Sequence, residues 1–471
     1  MSDLLGCRIL VLGAGGSGCA AASLARAHGA EVTIVDSAPR EKFASILSRL
    51  EEQGIQLECG VTVEKWDGPE IYQVVVSPGI PLDSPLHRLG ESTGAPMIGE
   101  VDFGASYIDC PILAVTGTNG KTTTVELLSA CLDAAGYKVR ACGNIGLPVS
   151  QVALEGARLD YLVVEISSFQ MESSVSFKPR GAILLNVTPD HLDRHGTLEC
   201  YRGLKTKLLS QVESGGAVVY HAALEKFVAL NDAVRRSRLW LCGEHRDFDG
   251  RPDASDWAVE SDGLYRLREN GEGEKILSRS GLQLCGSHNL ANALAVIAML
   301  DALGINAESY SAALRSFQSG PHRIKVISVR HDVQFVDDSK ATDVDAMIQA
   351  LRTFGTSAGK GIHLIAGGLA KGCTLSEAEP EIRMYVKAVY LIGECKERLA
   401  SSWKQIVPCT ICESMAEAVN CAAEAAIAGE TVLLSPGCAS MDMFRSYADR
   451  GQCFIDAVNA LPECAADGAE S

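Results

Sequence analysis

Residues 111–135 constrain this chain more than any other stretch. Pro111-Ile112-Leu113-Ala114-Val115 is a short apolar run that reads as a buried strand. Thr116-Gly117-Thr118-Asn119-Gly120-Lys121-Thr122-Thr123-Thr124 follows, then a helix pattern from about Val125 to Ala135, closed by Gly136. A loop of small residues that leaves a buried strand and ends Gly-Lys-Thr at a helix start is a phosphate cradle. Lys121 neutralises β/γ-phosphate charge, and the Thr122 hydroxyl suits Mg²⁺. The strict pattern wants glycine where Val115 stands, and this loop uses Gly117 instead. A lysine there has no packing reason to be present, which favours phosphate binding over a structural turn.

The same alternation of strand, turn and helix runs through the rest of the chain. In the first block Arg8–Leu12 is a strand, Gly13-Ala14-Gly15-Gly16-Ser17-Gly18 a turn and 19–28 a helix. Strands at 31–35, ending at Asp36, and at 74–76 follow, and the turn-rich Gly94-Ala95-Pro96 closes the block. The middle block adds strands at 161–166 and 182–187, weakly alternating antiparallel strands at an edge over 248–284, and a helix over 289–302. The third has strands at 324–329, 333–336, 361–366, 388–392 and 430–434, and a helix over 414–428. Short β-rich runs separated by helices imply parallel sheets covered on both faces. The expected fold is α/β in three domains: Rossmann-like over residues 1–98, P-loop ATPase-like over 99–319, and Rossmann-like again over 320–471.

Composition narrows the function. The chain has 471 residues, 47% hydrophobic, which supplies several cores. Its formal charge of −17 argues against nucleic acid as a partner. Apolar runs stay well short of a membrane span and the N-terminus enters a strand directly, so the expectation is a soluble, cytoplasmic protein without membrane insertion. The 17 cysteines are scattered, many in apolar segments, and read mostly as small buried hydrophobes. Cys409-Thr410-Ile411-Cys412 lacks the second pair that a zinc site needs.

Polar residues gather at strand ends, where α/β proteins bind ligands. Gly13-x-Gly15-x-x-Gly18 opens a helix N-terminus to a diphosphate, and Asp36 can accept from a ribose hydroxyl or a base N–H. The motif does not distinguish a dinucleotide from another nucleotide diphosphate, and close helix–strand packing alone also explains it. Glu165 closes the strand 161–165 ahead of Ser167-Ser168-Phe169-Gln170. Asp190-His191-Leu192-Asp193-Arg194-His195 is too polar for a core strand, although Mg²⁺ prefers oxygen to the imidazole of His191. Lys205 and Lys207 diverge on a helix, and spacing does not choose between them. Asn289 and Asn292 share a helix face. His322-Arg323, Asp337-Asp338-Ser339-Lys340-Ala341-Thr342, Gly367 to Lys371 and Ser435 to Ser440 line strand ends of the third block, where a small anionic substrate is expected.

These motifs together resemble the ATP-dependent Mur ligases of peptidoglycan synthesis, over essentially the whole chain. Glu165-Ile166-Ser167-Ser168-Phe169-Gln170, Asp338 to Thr342 and Ser435-Pro436-Gly437-Cys438-Ala439-Ser440-x-Asp442-x-Phe444 resemble the branch that adds D-glutamate. The Asp190 to Gly196 run is shared with the ligase adding the third residue. The resemblance implies a monomer that uses ATP and Mg²⁺, at two sites, to join D-glutamate to UDP-N-acetylmuramoyl-L-alanine. A different amino acid on a UDP-muramoyl precursor is the alternative.

The resemblance also implies roles. Gly117, Thr118, Asn119, Gly120, Lys121, Thr122 and Thr123 would bind ATP phosphates. Asn292 and His322 would frame the adenine, with Arg323 and Asp338 on phosphate and ribose. Thr122, Glu165, His191 and Lys205 would serve the metals, Lys205 as a carbamate; Lys121, Glu165, His191 and Lys205 form the catalytic set. Gly15, Ser17, Asp36, Ser37, Asn144 and Ser167 would hold the nucleotide sugar. Lys340, Thr342, Lys371, Ser440 and Tyr447 would hold D-glutamate. Three positions depart from the family pattern: Asp343 where Asn is frequent, Gly437 where Ala is frequent, and Tyr447 where Phe occurs.

Overall fold

The computed structural model describes residues 4–230, 234–240, 256–260, 262–267, 272–284, 286–355, 360–369 and 375–462. Its strands form three sheets. The first contains β1 (Arg8–Leu12), β2 (Glu31–Asp36), β3 (Gln56–Cys59), β4 (Gln73–Val76) and β5 (Met97–Gly99), all parallel, in the order β3-β2-β1-β4-β5. The order reverses between β1 and β4, which opens a crevice at their C-terminal ends. The turn at Gly94–Pro96 does not close this block as expected. It sits inside the sheet, because β5 follows it and pairs with β4. A three-residue strand is too short to show a period.

The second sheet has nine strands: β6 (Ile112–Thr116), β7 (Val139–Gly143), β8 (Tyr161–Glu165), β9 (Gly181–Leu184), β10 (Ala217–His221), β11 (Arg235–Trp240), β12 (Trp257–Glu260), β13 (Gly263–Leu267) and β14 (Gly273–Ser278). Their order is β14-β13-β12-β11-β10-β9-β6-β8-β7, with β12, β13 and β14 antiparallel at one edge. The edge meander expected over 248–284 is therefore present, though residues 248–255 lie outside the described ones. β6 is buried along its whole length between β8 and β9, and so delivers the phosphate loop to the middle of the sheet. β9 ends at Leu184, short of the expected Val187.

The third sheet holds β15 (Lys325–Arg330), β16 (Val333–Asp337), β17 (Ile362–Gly367), β18 (Val386–Ile392), β19 (Cys409–Ile411) and β20 (Thr431–Leu434), in the order β15-β16-β20-β17-β18-β19. All pairs are parallel except the hairpin β15–β16. β19 carries the Cys-x-x-Cys segment as an edge strand. Burial pushes the Cys412 thiol up to about 12, which makes it a poor thiolate ligand. Of the 13 described cysteines, none of which is in a disulfide, six are buried, so fewer than expected are core residues. Among the described residues no helix is long and apolar enough to cross a membrane.

The chain gathers into two compact units. One comprises residues 1–187, 194–282 and 291–317 and holds the first two sheets; the other comprises 188–193, 283–290 and 318–471 and is built on the third. Within the first unit, the short helix Glu100–Ala105 joins the sheets. Glu100 accepts from the Ser150 N–H at 2.7 Å, and Asp102 Oδ1 accepts from the N–H groups of Val175, Ser176 and Phe177. Burial raises the Glu100 pKa, opposed by those Ser150 bonds.

Candidate active site

The phosphate loop is shaped by two glycines and an asparagine. Gly120 caps the following helix with φ 85°, and a Cβ there would collide with the Asn292 amide. Asn186 Oδ1 accepts from the N–H groups of Thr118 (3.1 Å) and Asn119 (2.9 Å), while its Nδ2 donates to the Asn119 carbonyl. Asn186 is thus a splint for the loop, a role the sequence alone did not show. The helix begins at Lys121, one turn before the expected Val125. Thr122 and Thr123 therefore sit in its first turn, where unpaired N–H groups and the helix dipole favour an anion.

Two ammonium groups converge on one carbonyl. Lys121 Nζ donates to the carbonyls of Gly117 (3.0 Å) and Thr118 (2.7 Å). Lys205 Nζ, on the helix Leu198–Ser210, also donates to Gly117, at 2.7 Å, and is 1% exposed. The Tyr201 ring, one turn earlier, lies 4.6 Å from that nitrogen, and its hydroxyl meets Thr118 Oγ1 at 3.2 Å. Lys207 points elsewhere and donates to the Met171 carbonyl. Of the two lysines, Lys205 is the one whose ammonium reaches the phosphate loop.

Glu165 ends β8 beside β6 and is 2% exposed. Its Oε1 accepts from Asn144 Nδ2 at 2.8 Å, whereas Oε2 is buried without a hydrogen-bond partner. Leaving a carboxylate oxygen unpaired is costly. A hard cation is the partner that such an oxygen suits, and the Thr122 hydroxyl is an oxygen donor of the same kind. The residues of this strand end therefore fit Mg²⁺. His191 falls in the second unit, with φ 52° and Nε2 3.3 Å from Asp190 Oδ2.

Ser167 spends its hydroxyl on a capping box with Gln170. Its neighbour Ser168 meets His195 Nε2 at 3.0 Å, and His195 Nδ1 lies 3.2 Å from Glu172. Glu172 also pairs with Arg194, which donates to the Ile80 carbonyl in the loop after β4. Sequence reasoning gave this network no role, although Ser168, Arg194 and His195 lie in motifs already singled out.

On the first sheet, Gly13 has φ 93°, and a Cβ at Gly18 would run into the Gly13 carbonyl. The glycines are thus required by close approach, and Gly15 is the exposed N-cap of the helix Gly16–Ala27, with Ser17 in its first turn. Asp36 accepts from Ala14 N–H (2.7 Å) and Ala38 N–H (2.8 Å), so it braces the turn as well as facing the crevice next to exposed Ser37.

In the second unit, His322 (φ 62°) lies 2.6 Å from Asp337, and Arg323 follows it. Asp338 accepts from Ser435 Oγ (2.9 Å) and Ile324 N–H (3.2 Å), and burial pushes its carboxyl well above the usual range. Lys340 sits 3.8 Å from the Tyr447 ring centroid. Thr342 and buried Ser440 occupy the loops after β16 and β20. Lys371 lies outside the described residues. The departures have local reasons. Asp343 caps the helix Val344–Phe354 through Ala346 N–H, and Gly437 has φ 64° with Met347 where a Cβ would go. Sequence reasoning missed Arg450. Fully buried, it donates to the Ser339 hydroxyl and carbonyl and to the Cys438 carbonyl, tying the two loops together.

Comparison with known proteins agrees with this geometry. Residues 115–300 match the Mur ligase middle domain and 322–438 the Mur ligase glutamate ligase domain. Residues 2–80 match the pyridine nucleotide-disulphide oxidoreductase model, as a glycine turn in a Rossmann-like sheet would. The UDP-N-acetylmuramoylalanine–D-glutamate ligase of Acidobacterium capsulatum is 38% identical, covering 97% of both chains. That of Koribacter versatilis is 35% identical over 98% of this chain and 99% of its own. Among solved structures, the UDP-N-acetylmuramate-alanine ligase of Thermotoga maritima shares the fold, with a TM-score of 0.58 at 19% identity, covering 96% of this chain and 99% of that one. With identity of this level over nearly its full length, the chain belongs to the Mur ligase family, in the branch of the UDP-N-acetylmuramoylalanine–D-glutamate ligases.

Proposed function

We propose that this protein joins D-glutamate to UDP-N-acetylmuramoyl-L-alanine at the expense of ATP, in the cytoplasm, as a step of peptidoglycan precursor synthesis. The observation that carries the reading is the strand-end cluster of Lys121, Lys205 and Glu165 around the phosphate loop: two ammonium groups on one carbonyl beside a carboxylate with an unpaired oxygen. Residues 1–98 hold the nucleotide sugar through the Gly15–Ser17 turn, Asp36 and Ser37. Residues 99–319 hold ATP and the reacting carboxylate, with Asn144 and Ser167 toward the muramoyl side. Residues 320–471 hold adenosine contacts at His322, Arg323 and Asp338, and D-glutamate at Lys340, Thr342, Lys371, Ser440 and Tyr447.

A carboxylate is a poor electrophile for an amine. Its oxygen therefore attacks the γ-phosphorus of ATP, releasing ADP and giving an acyl phosphate. Lys121 and Arg323 offset charge on the transferring phosphoryl group. The deprotonated D-glutamate amine then adds to the carbonyl carbon, and the tetrahedral intermediate expels phosphate. Thr122, Glu165, His191 and carbamylated Lys205 would hold Mg²⁺, which would supply further charge neutralisation at the phosphates. The chain acts as a monomer.

The test is ADP release with UDP-N-acetylmuramoyl-L-alanine and a panel of amino acids. D-Glutamate alone should drive turnover. Equal rates with L-glutamate, or turnover only with another amino acid, would move the chain to a different ligation.

A further inference from the structure

We infer that Asp337 is a positioning residue that fixes both the tautomer and the orientation of His322, and so sets how the purine base of ATP is met. The inference rests on the reading that His322 frames that base. His322 and Asp337 are both buried, with Nδ1 and Oδ2 2.6 Å apart. The other oxygen, Oδ1, accepts from Ser339 N–H at 3.0 Å, so the carboxylate is held at both ends. An ionised carboxylate only accepts. Nδ1 therefore carries the proton, and in the neutral imidazole the lone pair lies on Nε2, where it accepts rather than donates.

Three further features build the seat. His322 adopts the left-handed conformation at φ 62°, and its carbonyl accepts from Lys340 N–H at 3.0 Å. The ring lies against Gly451, inside the helix Tyr447–Ala460, where a Cβ would collide with Nδ1. Glycine in a helix interior lowers stability relative to alanine, so its presence there needs a reason, and the imidazole supplies one. Arg450, next to it, donates to the Ser339 hydroxyl and carbonyl, which steadies the residue that steadies Asp337. An acceptor at Nε2 suits the exocyclic amine of adenine and opposes the carbonyl oxygen that hypoxanthine carries at the same place.

The test uses the full-length protein and the variants Asp337→Asn and Gly451→Ala. In Asp337→Asn the amide oxygen keeps the Ser339 bond and the NH₂ group faces His322, which must then accept at Nδ1 and carry its proton on Nε2. Nitrogen-15 NMR of the imidazole should show this tautomer exchange, with thermal melting confirming that the variant is folded. The KM for ATP should rise roughly tenfold, about 1.4 kcal/mol, the preference for ATP over ITP should shrink, and the KM for D-glutamate should hold. Gly451→Ala should raise the KM for ATP, because the added Cβ meets Nδ1 and displaces the ring while Asp337 keeps its Ser339 bond. The same tautomer in the parent and in Asp337→Asn would overturn the inference. An exchanged tautomer with unchanged ATP and ITP kinetics would instead remove His322 from the base, which is failure of the underlying reading and distinguishable from the first.

Discussion

The phosphate-loop end of the second sheet and the loop cluster of the third are both built from strand-end polar residues, yet they treat those residues in opposite ways. Around Gly117 like charges converge: Lys121 and Lys205 both donate to its backbone carbonyl, and one oxygen of Glu165 has no hydrogen-bond partner. Around Ser339 every named charge is bound: Asp337 by His322 and Ser339, Asp338 by Ser435 and Ile324, Arg450 by three acceptors. The first pattern belongs to a place where ligand charge completes the electrostatics, and the second to a rigid mount for side chains that touch substrate. Burial pushes the Arg450 guanidinium down to about 10, still charged at neutral pH, so its three bonds are charge-assisted.

The contrast is broken most severely at Lys121. Lys121→Ala should leave the fold intact, because the ammonium makes only carbonyl contacts in the loop, and should lower kcat by about 10²–10³-fold or more, the scale for removing a preorganised donor. Steady-state rates beside a thermal melt check this. A folded variant within roughly tenfold of the parent would show that the loop does not stabilise the transferring phosphoryl group.

Lys205→Ala should be nearly as damaging, and short carboxylic acids added to the assay should restore part of the rate, with saturation and dependence on acid size. Lys207→Ala, whose ammonium sits on the Met171 carbonyl, should keep most activity. Full activity of Lys205→Ala, or rescue of Lys207→Ala instead, would end the carbamate assignment.

A smaller effect is expected at Lys371. Lys371→Ala should raise the KM for D-glutamate by the loss of one charge-assisted bond, about 1.5–3 kcal/mol, and spare the KM for the UDP-sugar. Equal rises would take the amino-acid site away from the third block. Titration calorimetry of the first block's glycine turn belongs beside it. UDP-N-acetylmuramoyl-L-alanine should bind and NAD should not, since nothing in the chain supplies hydride-transfer chemistry.

The smallest effect concerns stability at the far end of the third sheet. His363 lies 2.9 Å from Glu430, which also pairs with Lys387. Burial lowers the His363 pKa, opposed by Glu430. Burial works against the charge on Glu430 too, but the bonds from Lys387, Ile427 and His363 outweigh it and hold the carboxyl below its ordinary value. Both folded values are depressed. Stability should therefore be full above the unfolded histidine value near about 6.5, fall as pH drops below it, and fall further as pH drops below the ordinary glutamate value of about 4.3. Melting temperatures across that range should decline monotonically, and Glu430→Gln should flatten the lower part of the curve.

How much of this was legible followed from how each element is buried. Strands buried on both faces, such as β6, β8 and β17, read as apolar runs. β11, with the sequence Arg-Arg-Ser-Arg-Leu-Trp, did not, because its arginines find their counter-charges elsewhere along the chain, Arg236 at Glu225 and Arg238 in a buried pair with Asp256. β5 and β19 are three residues each and carry no period. In the site, the loop and Glu165 were legible because a cation or carboxylate at a buried strand's end has no packing reason. Lys205 was not separable from Lys207 until the helix was placed against Gly117. Arg450, Asn186 and His195 act through partners 12 to 111 residues away, which spacing along one sequence does not reveal.

The account's central claim is that the carboxylate of the nucleotide sugar is activated as an acyl phosphate before the amine attacks. Substrate carrying oxygen-18 in that carboxylate tests it most directly. One labelled oxygen should leave with each inorganic phosphate released in the presence of ATP and D-glutamate, because the bond from that oxygen to the carbonyl carbon is the one that breaks. Phosphate free of label, with all the carboxylate's oxygen-18 lost to water or kept in the amide product, would contradict it.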